Sequence, residues 1–171
     1  QNGDSTYIDF RETAPSAANP YMWNLDSEGI VIDKANESGG KSVAVPGQVA
    51  GLIYAFEKYG SGNLTLEEVM TPAINLAQNG YYVTPSLLKD MLSVEEMMEK
   101  YPELKKLILN KDGSYYKVGD LYKSEELANT LKLIAKEGKD AFYTGEIAKS
   151  IVDSAKKYGG IITLEDLKNY K

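Results

Sequence analysis

The sequence predicts a mainly α, multi-helical orthogonal bundle with a short strand near its start. Three observations carry this. Apolar residues recur at spacings of three and four through most of the chain after Pro46; Thr- or Pro-led helix starts alternate with glycine stops; and period-two alternation is confined to the first residues and one late Asp-Gly turn. At 171 residues, with 43% hydrophobic and 26% charged, the chain can bury a core.

Thr6-Tyr7-Ile8-Asp9-Phe10-Arg11 alternates apolar and polar β-formers and predicts a short strand. Its ladder groups need a partner, and Ile30-Val31-Ile32 and Ser42-Val43-Ala44-Val45 are weak candidates. Residues 13–40 carry the turn signals Ala14-Pro15, Asn19-Pro20 and Gly39-Gly40 and predict a long loop. Loops of that length are functional or mobile. The chain thus divides into residues 1–45, strand plus loop, and residues 46–171, a helical domain.

After Pro46, Val49, Leu52, Ile53 and Phe56 share one helix face, and Gly60 is the stop. Thr65-Leu66-Glu67-Glu68 is a capping box, with Leu64 placed to staple Val69 and Leu66, Val69, Met70, Ala73, Ile74 and Ala77 forming the inner face. Pro72 predicts a kink near Glu68. Thr84-Pro85 opens a third helix through Leu87, Leu88, Met91 and Leu92, and Pro102 places a stop near Tyr101. Leu107-Ile108-Leu109 and Ser114-Tyr115-Tyr116-Lys117 flank an Asp-Gly turn and predict a small hairpin, the only late β-feature. Helices are predicted again over 124–137 and 145–158, and Thr163-Leu164-Glu165-Asp166 caps a short last one.

Composition excludes several functions. A net charge of −6 and a pI near 4.8 argue against a nucleic-acid surface, which needs clustered Lys and Arg. With no histidine and no cysteine, the chain cannot hold a Ser-His-Asp or Cys-His site or a thiolate metal centre. The apolar runs are broken before the roughly 20 residues that span a bilayer, so membrane insertion is not expected. The acidic pairs Glu95-Glu96, Glu125-Glu126 and Glu165-Asp166 fall at helix starts, where carboxylates favour the helix dipole; no metal and no cofactor is expected. The thirteen tyrosines, and Met91, Met97 and Met98, read as packing residues.

Ile8-Asp9-Phe10-Arg11-Glu12-Thr13-Ala14-Pro15 resembles a signature in the large subunit of γ-glutamyltransferases (γ-glutamyl transpeptidases). The likeness continues in order through Val45-Pro46-Gly47-Gln48-Val49-Ala50-Gly51-Leu52, Lys58-Tyr59-Gly60, Pro72-Ala73-Ile74-Asn75-Leu76-Ala77-Gln78-Asn79-Gly80, Phe142-Tyr143-Thr144-Gly145-Glu146-Ile147-Ala148 and Gly159-Gly160-Ile161-Ile162-Thr163-Leu164-Glu165-Asp166-Leu167. The resemblance implies an internal piece of the large subunit of an αββα N-terminal-nucleophile hydrolase. Such an enzyme cleaves itself and then uses the Thr freed at the start of its small subunit, so no catalytic residue is expected in this chain. The remainder of the large subunit and the small subunit are its implied partners. Glutathione or another γ-glutamyl compound is the implied substrate, transferred to water or to amino acids and peptides, and a periplasmic or extracellular location is implied.

By motif match Arg11 grips the substrate α-carboxylate. A guanidinium fork suits that task, because it stays charged and can hold a carboxylate by two parallel bonds. From the residues alone, Arg11 also reads as a structural ion pair with Asp9, Glu12 or another carboxylate, and Glu12 as a local partner. A poly-γ-glutamate-cleaving relative, a cephalosporin-acylase relative and a non-catalytic helical interaction module are the other readings.

Overall fold

A computed structural model describes Gly3 and residues 5–171. Among these residues the chain is mainly helical: α1 (Gln48–Tyr59), α2 (Leu66–Asn79), α3 (Pro85–Leu92), α4 (Lys105–Ile108), α5 (Glu125–Glu137), α6 (Lys139–Tyr143), α7 (Glu146–Lys157) and α8 (Leu164–Lys168). Two-residue strands β1 (Tyr81–Tyr82) and β2 (Leu121–Tyr122) precede α3 and α5. Tight 3₁₀ turns occupy Ile32–Lys34, Gly40–Ser42, Glu95–Met97 and Pro102–Leu104.

The chain forms two compact units, residues 1–69 with 133–171 and residues 70–132. In the first, Val45, Tyr143, Ala148, Ile162 and Leu167 make the core, with Val49, Phe142 and Ile151 packed against it. α7 lies against α6, α8 and the Gly40–Ser42 turn, and α1 against α6. Leu167 is fully buried, and a buried leucine contributes about 2 kcal/mol. The long loop is tied into this unit: the Gly40 N–H donates to the Tyr158 carbonyl at 2.9 Å, and the Ser16 N–H to Asp166 Oδ1 at 2.8 Å.

The second unit centres on Val83, Met91, Ile108 and Tyr122. β1 and β2 pair antiparallel, Tyr81 opposite Tyr122 and Tyr82 opposite Leu121. Ring centroids of Tyr122 lie 5.7 Å from Tyr81 and 5.4 Å from Tyr116. Cross-strand aromatic pairs of this kind stabilise so short a ladder.

The caps form as the sequence predicts. Thr65 N–H donates to Glu68 Oε2 at 2.7 Å and Glu68 N–H to Thr65 Oγ1 at 3.2 Å. Thr84 caps α3 by accepting from Leu87 N–H at 3.2 Å. α2 runs through Pro72 to Asn79 as a single helix. Its buried positions are Ile74 and Ala77; Val69 and Leu52, both expected to face inward, are 49% and 54% exposed.

Three β-features differ from expectation. Residues 6–11 belong to no strand, and among the described residues the chain around them is bridged to Val45 at one position, Thr13. The reason lies on the partner side: the Gly40–Ser42 turn curls just before Val45, and Gly47, which would form the next hydrogen-bonded pair with Arg11, already has helical dihedrals as the N-cap of α1. In the late hairpin, α4 takes up Leu107 and Ile108, leaving only the Leu109–Tyr115 bridge. Conversely, β1 and β2 escape a period-two search because two residues set no period.

α8 opens with a reciprocal capping box between Thr163 and Asp166. Burial raises the Asp166 carboxyl, but the Ser16 and Thr163 backbone N–H groups and the hydroxyls of both residues outweigh it and hold the group at about 2. A folded value below the unfolded one, about 3.9, stabilises the fold fully above that value, and the contribution fades as pH falls towards 2. Because the group is largely solvent-screened, Asp166→Asn is expected to cost about 1 kcal/mol near neutral pH. Urea titration should show the gap between variant and wild type narrowing as pH drops from about 5 towards 3.

Candidate functional site

Arg11 lies in the segment that precedes the Thr13–Val45 bridge, and its backbone is hydrogen-bonded on both sides. Its N–H donates to Asp9 Oδ1 at 3.1 Å, and its carbonyl accepts from the Tyr170 hydroxyl at 2.7 Å. Thr13 and Val45 exchange bonds of 3.1 and 2.8 Å two residues further on.

The segment rests on the start of α1 at two glycines. A Cβ at Gly51 would lie 2.2 Å from Phe10 Cγ and 2.4 Å from Phe10 Cβ. A Cβ at Gly47 would lie 2.2 Å from the Phe10 carbonyl oxygen and 1.8 Å from the Tyr170 hydroxyl. All four distances are far inside contact, so only glycine admits the segment this close to the helix.

Tyr170 is fixed in turn. Its ring stacks on Tyr143, centroids 5.7 Å apart and planes inclined by 14°. The Tyr143 hydroxyl donates to the Pro46 carbonyl at 2.7 Å and accepts from the Ala50 N–H at 3.2 Å, pinning it to the first turn of α1. Burial raises the Tyr170 hydroxyl, helped by Asp9 and Glu12, so it stays protonated and remains a donor at neutral pH.

The Arg11 side chain is 79% exposed and pairs with Glu12, Nη2 to Oε1, at 2.8 Å. This hydrogen bond, then the Glu12 charge, raises Arg11 further; the Glu12 carboxyl is lowered by its own backbone N–H and then by Arg11. An exposed pair of neighbours adds little to stability and leaves most of the fork open to a second carboxylate. Asp9 meets the Arg11 backbone and not the guanidinium. The groove around Arg11 is lined by Tyr7, Phe10, Glu12, Pro46, Gly47 and Gln48.

Among the described residues no three His, Cys, Asp or Glu side chains converge as a metal site, and no helix is long and apolar enough to cross a membrane. Sequence reasoning singled out Arg11 but missed Tyr143 and Tyr170 as its supports. Gly51, a glycine inside a helical pattern, was the available signal, since such a position often marks a close backbone approach.

The family model for gamma-glutamyltranspeptidase matches residues 1–171. The chain is 39% identical over 170 residues to the glutathione hydrolase proenzyme of Pseudomonas sp. (strain A14), covering 99% of this chain and 29% of that protein. It superposes on the crystal structure of Helicobacter pylori gamma-glutamyltranspeptidase with a TM-score of 0.87 and 40% identity, over 95% of this chain and 46% of that one. It also superposes on the transpeptidase enzyme CapD of Bacillus anthracis with a TM-score of 0.72 and 32% identity, over 100% of this chain and 50% of that one. The chain therefore spans less than a third of the curated relative and about half of each structural neighbour, and it belongs to the gamma-glutamyltranspeptidase family.

Proposed function

We propose that this chain is the part of a γ-glutamyltransferase large subunit that holds the donor by its α-carboxylate through Arg11, the Thr nucleophile lying outside residues 1–171. The parent enzyme would cleave γ-glutamyl amides such as glutathione and pass the γ-glutamyl group to water or to an amine. The observation that supports this is an exposed guanidinium on a backbone fixed at both flanking peptides, with one local counter-ion and an open groove. A clamp needs that combination of free donors and rigid mount.

In this reading the Thr hydroxyl, with its own α-amine as base, attacks the γ-carbonyl; the amide nitrogen leaves with a proton, and water or an acceptor amine resolves the acyl-enzyme. Arg11 makes and breaks no bond. It fixes one end of the donor so that the other meets the nucleophile, an orientation effect.

The test uses the complete, self-cleaved protein and two chromogenic amides, the γ-glutamyl compound and its 4-aminobutyryl analogue, which lacks only the α-carboxylate. A kcat/KM lower by about 10²-fold or more for the analogue is expected, because without the α-carboxylate the donor has nothing for the guanidinium to grip. Equal turnover of the two would overturn the clamp. The purified 171-residue chain is expected to release chromophore no faster than buffer; hydrolysis that tracks it would place the nucleophile inside the chain.

A further inference from the structure

Two peptide planes meet at the Arg11 Cα, and together they set the direction of its side chain. The first is held by Asp9, a carboxylate two residues away on the same exposed segment. The second is held by Tyr170, which reaches across 159 residues of sequence to donate to the Arg11 carbonyl at 2.7 Å. Asp9 belongs to the segment it binds; Tyr170 does not. Its ring is stacked on Tyr143, and Tyr143 is bonded at both Pro46 and Ala50. Tyr170 is thus the contact that references Arg11 to the folded core.

Packing around the hydroxyl supports the same assignment. Gly47 leaves the space into which the Tyr170 oxygen fits, and a single methyl there would lie 1.8 Å from it. The same hollow also admits the Tyr170 Cζ, 2.4 Å from that methyl, and the Phe10 carbonyl oxygen, at 2.2 Å, so the hydroxyl, the ring edge and the peptide before Arg11 are seated together.

We propose that Tyr170 is a positioning residue for Arg11: through the Arg11 carbonyl its hydroxyl sets where the guanidinium meets the donor α-carboxylate. The proposal rests on the reading of Arg11 as the clamp. Tyr170→Phe removes one oxygen and keeps the stacked ring, so self-cleavage and the melting midpoint should be retained. The Arg11 mount then loses its reference to the core, and binding of the donor weakens while bond chemistry is untouched.

The experiment is a double-mutant cycle in the complete enzyme with Tyr170→Phe and Arg11→Ala, reading KM and kcat for a γ-glutamyl amide. Alanine keeps the residue 11 carbonyl, so only the guanidinium is lost from the pair. Tyr170→Phe is expected to raise KM about 5- to 10-fold with kcat within about twofold, and to change KM by less than about twofold once Arg11 is alanine. An equal loss in both backgrounds, or no loss in either, would show that the hydroxyl does not act through Arg11. A KM unchanged by Arg11→Ala would instead remove the clamp reading itself. If Tyr170→Phe blocks self-cleavage, the same cycle run on enzyme assembled from separately expressed subunits gives the same two readings.

Discussion

Arg11→Ala in the complete, self-cleaved enzyme is expected to lower kcat/KM for a γ-glutamyl amide by about 10²- to 10³-fold, carried mainly by KM. The guanidinium is exposed, and its side-chain partner is the neighbouring Glu12, so the loss should leave folding and processing intact. Arg11→Lys separates charge from geometry. A lysine keeps the positive charge but offers a point donor in place of a planar fork, and a residual loss of about tenfold is expected. The sharper readout is discrimination. With Arg11 in place the γ-glutamyl amide should outrun its 4-aminobutyryl analogue; with alanine the two should converge, because the carboxylate no longer has anything to meet. Three variants that process and turn over alike would reduce Arg11 to a surface ion pair with Glu12.

A short motif singles out Arg11 in the sequence; nothing local marks its mount. Helices α1, α2, α3, α5, α7 and α8 follow from apolar spacing and from the Thr65, Thr84 and Thr163 caps, which are local signals. What was misread depends on distance in sequence. The extended segment around Phe10 finds one bridge with Val45 and a hydroxyl at Tyr170, and neither pairing leaves a periodic mark. β1 and β2 meet across some forty residues with two residues each, below the length at which alternation can be recognised. Leu107-Ile108-Leu109 has the composition of a strand, but α4 closes over Ile108 because that side chain is buried in the second core with Val83 and Met91. Tertiary burial decided between two local readings of similar strength.

Gly51→Ala is expected to be a damaging conservative change in the segment's support, and the competing effects can be ranked. At the fourth residue of α1, alanine gains up to about 1 kcal/mol of helix propensity over glycine. Against this, its Cβ would sit 2.2 Å from Phe10 Cγ and 2.4 Å from Phe10 Cβ. Phe10 is 37% exposed and could swing its ring away, but rotation about χ1 leaves its own Cβ in place, so the clash must be relieved by moving backbone. Overpacking of this kind costs about 1–3 kcal/mol, which outweighs the propensity gain. The displaced backbone is residue 10, one peptide from Arg11, whose carbonyl must then stretch or break its bond to Tyr170. A shift approaching 1 Å at a substrate-positioning group costs about 10²-fold in rate, so kcat/KM for the γ-glutamyl amide should fall about 10- to 100-fold while self-cleaved protein is still recovered. The loss should shrink in an Arg11→Ala background, where there is no guanidinium left to displace, and it should be partly relieved by Phe10→Gly, which removes the Cβ that alanine meets. A Gly51→Ala enzyme with unaltered KM would mean that Phe10 yields without carrying Arg11 along, and the rigid mount inferred for the clamp would be lost.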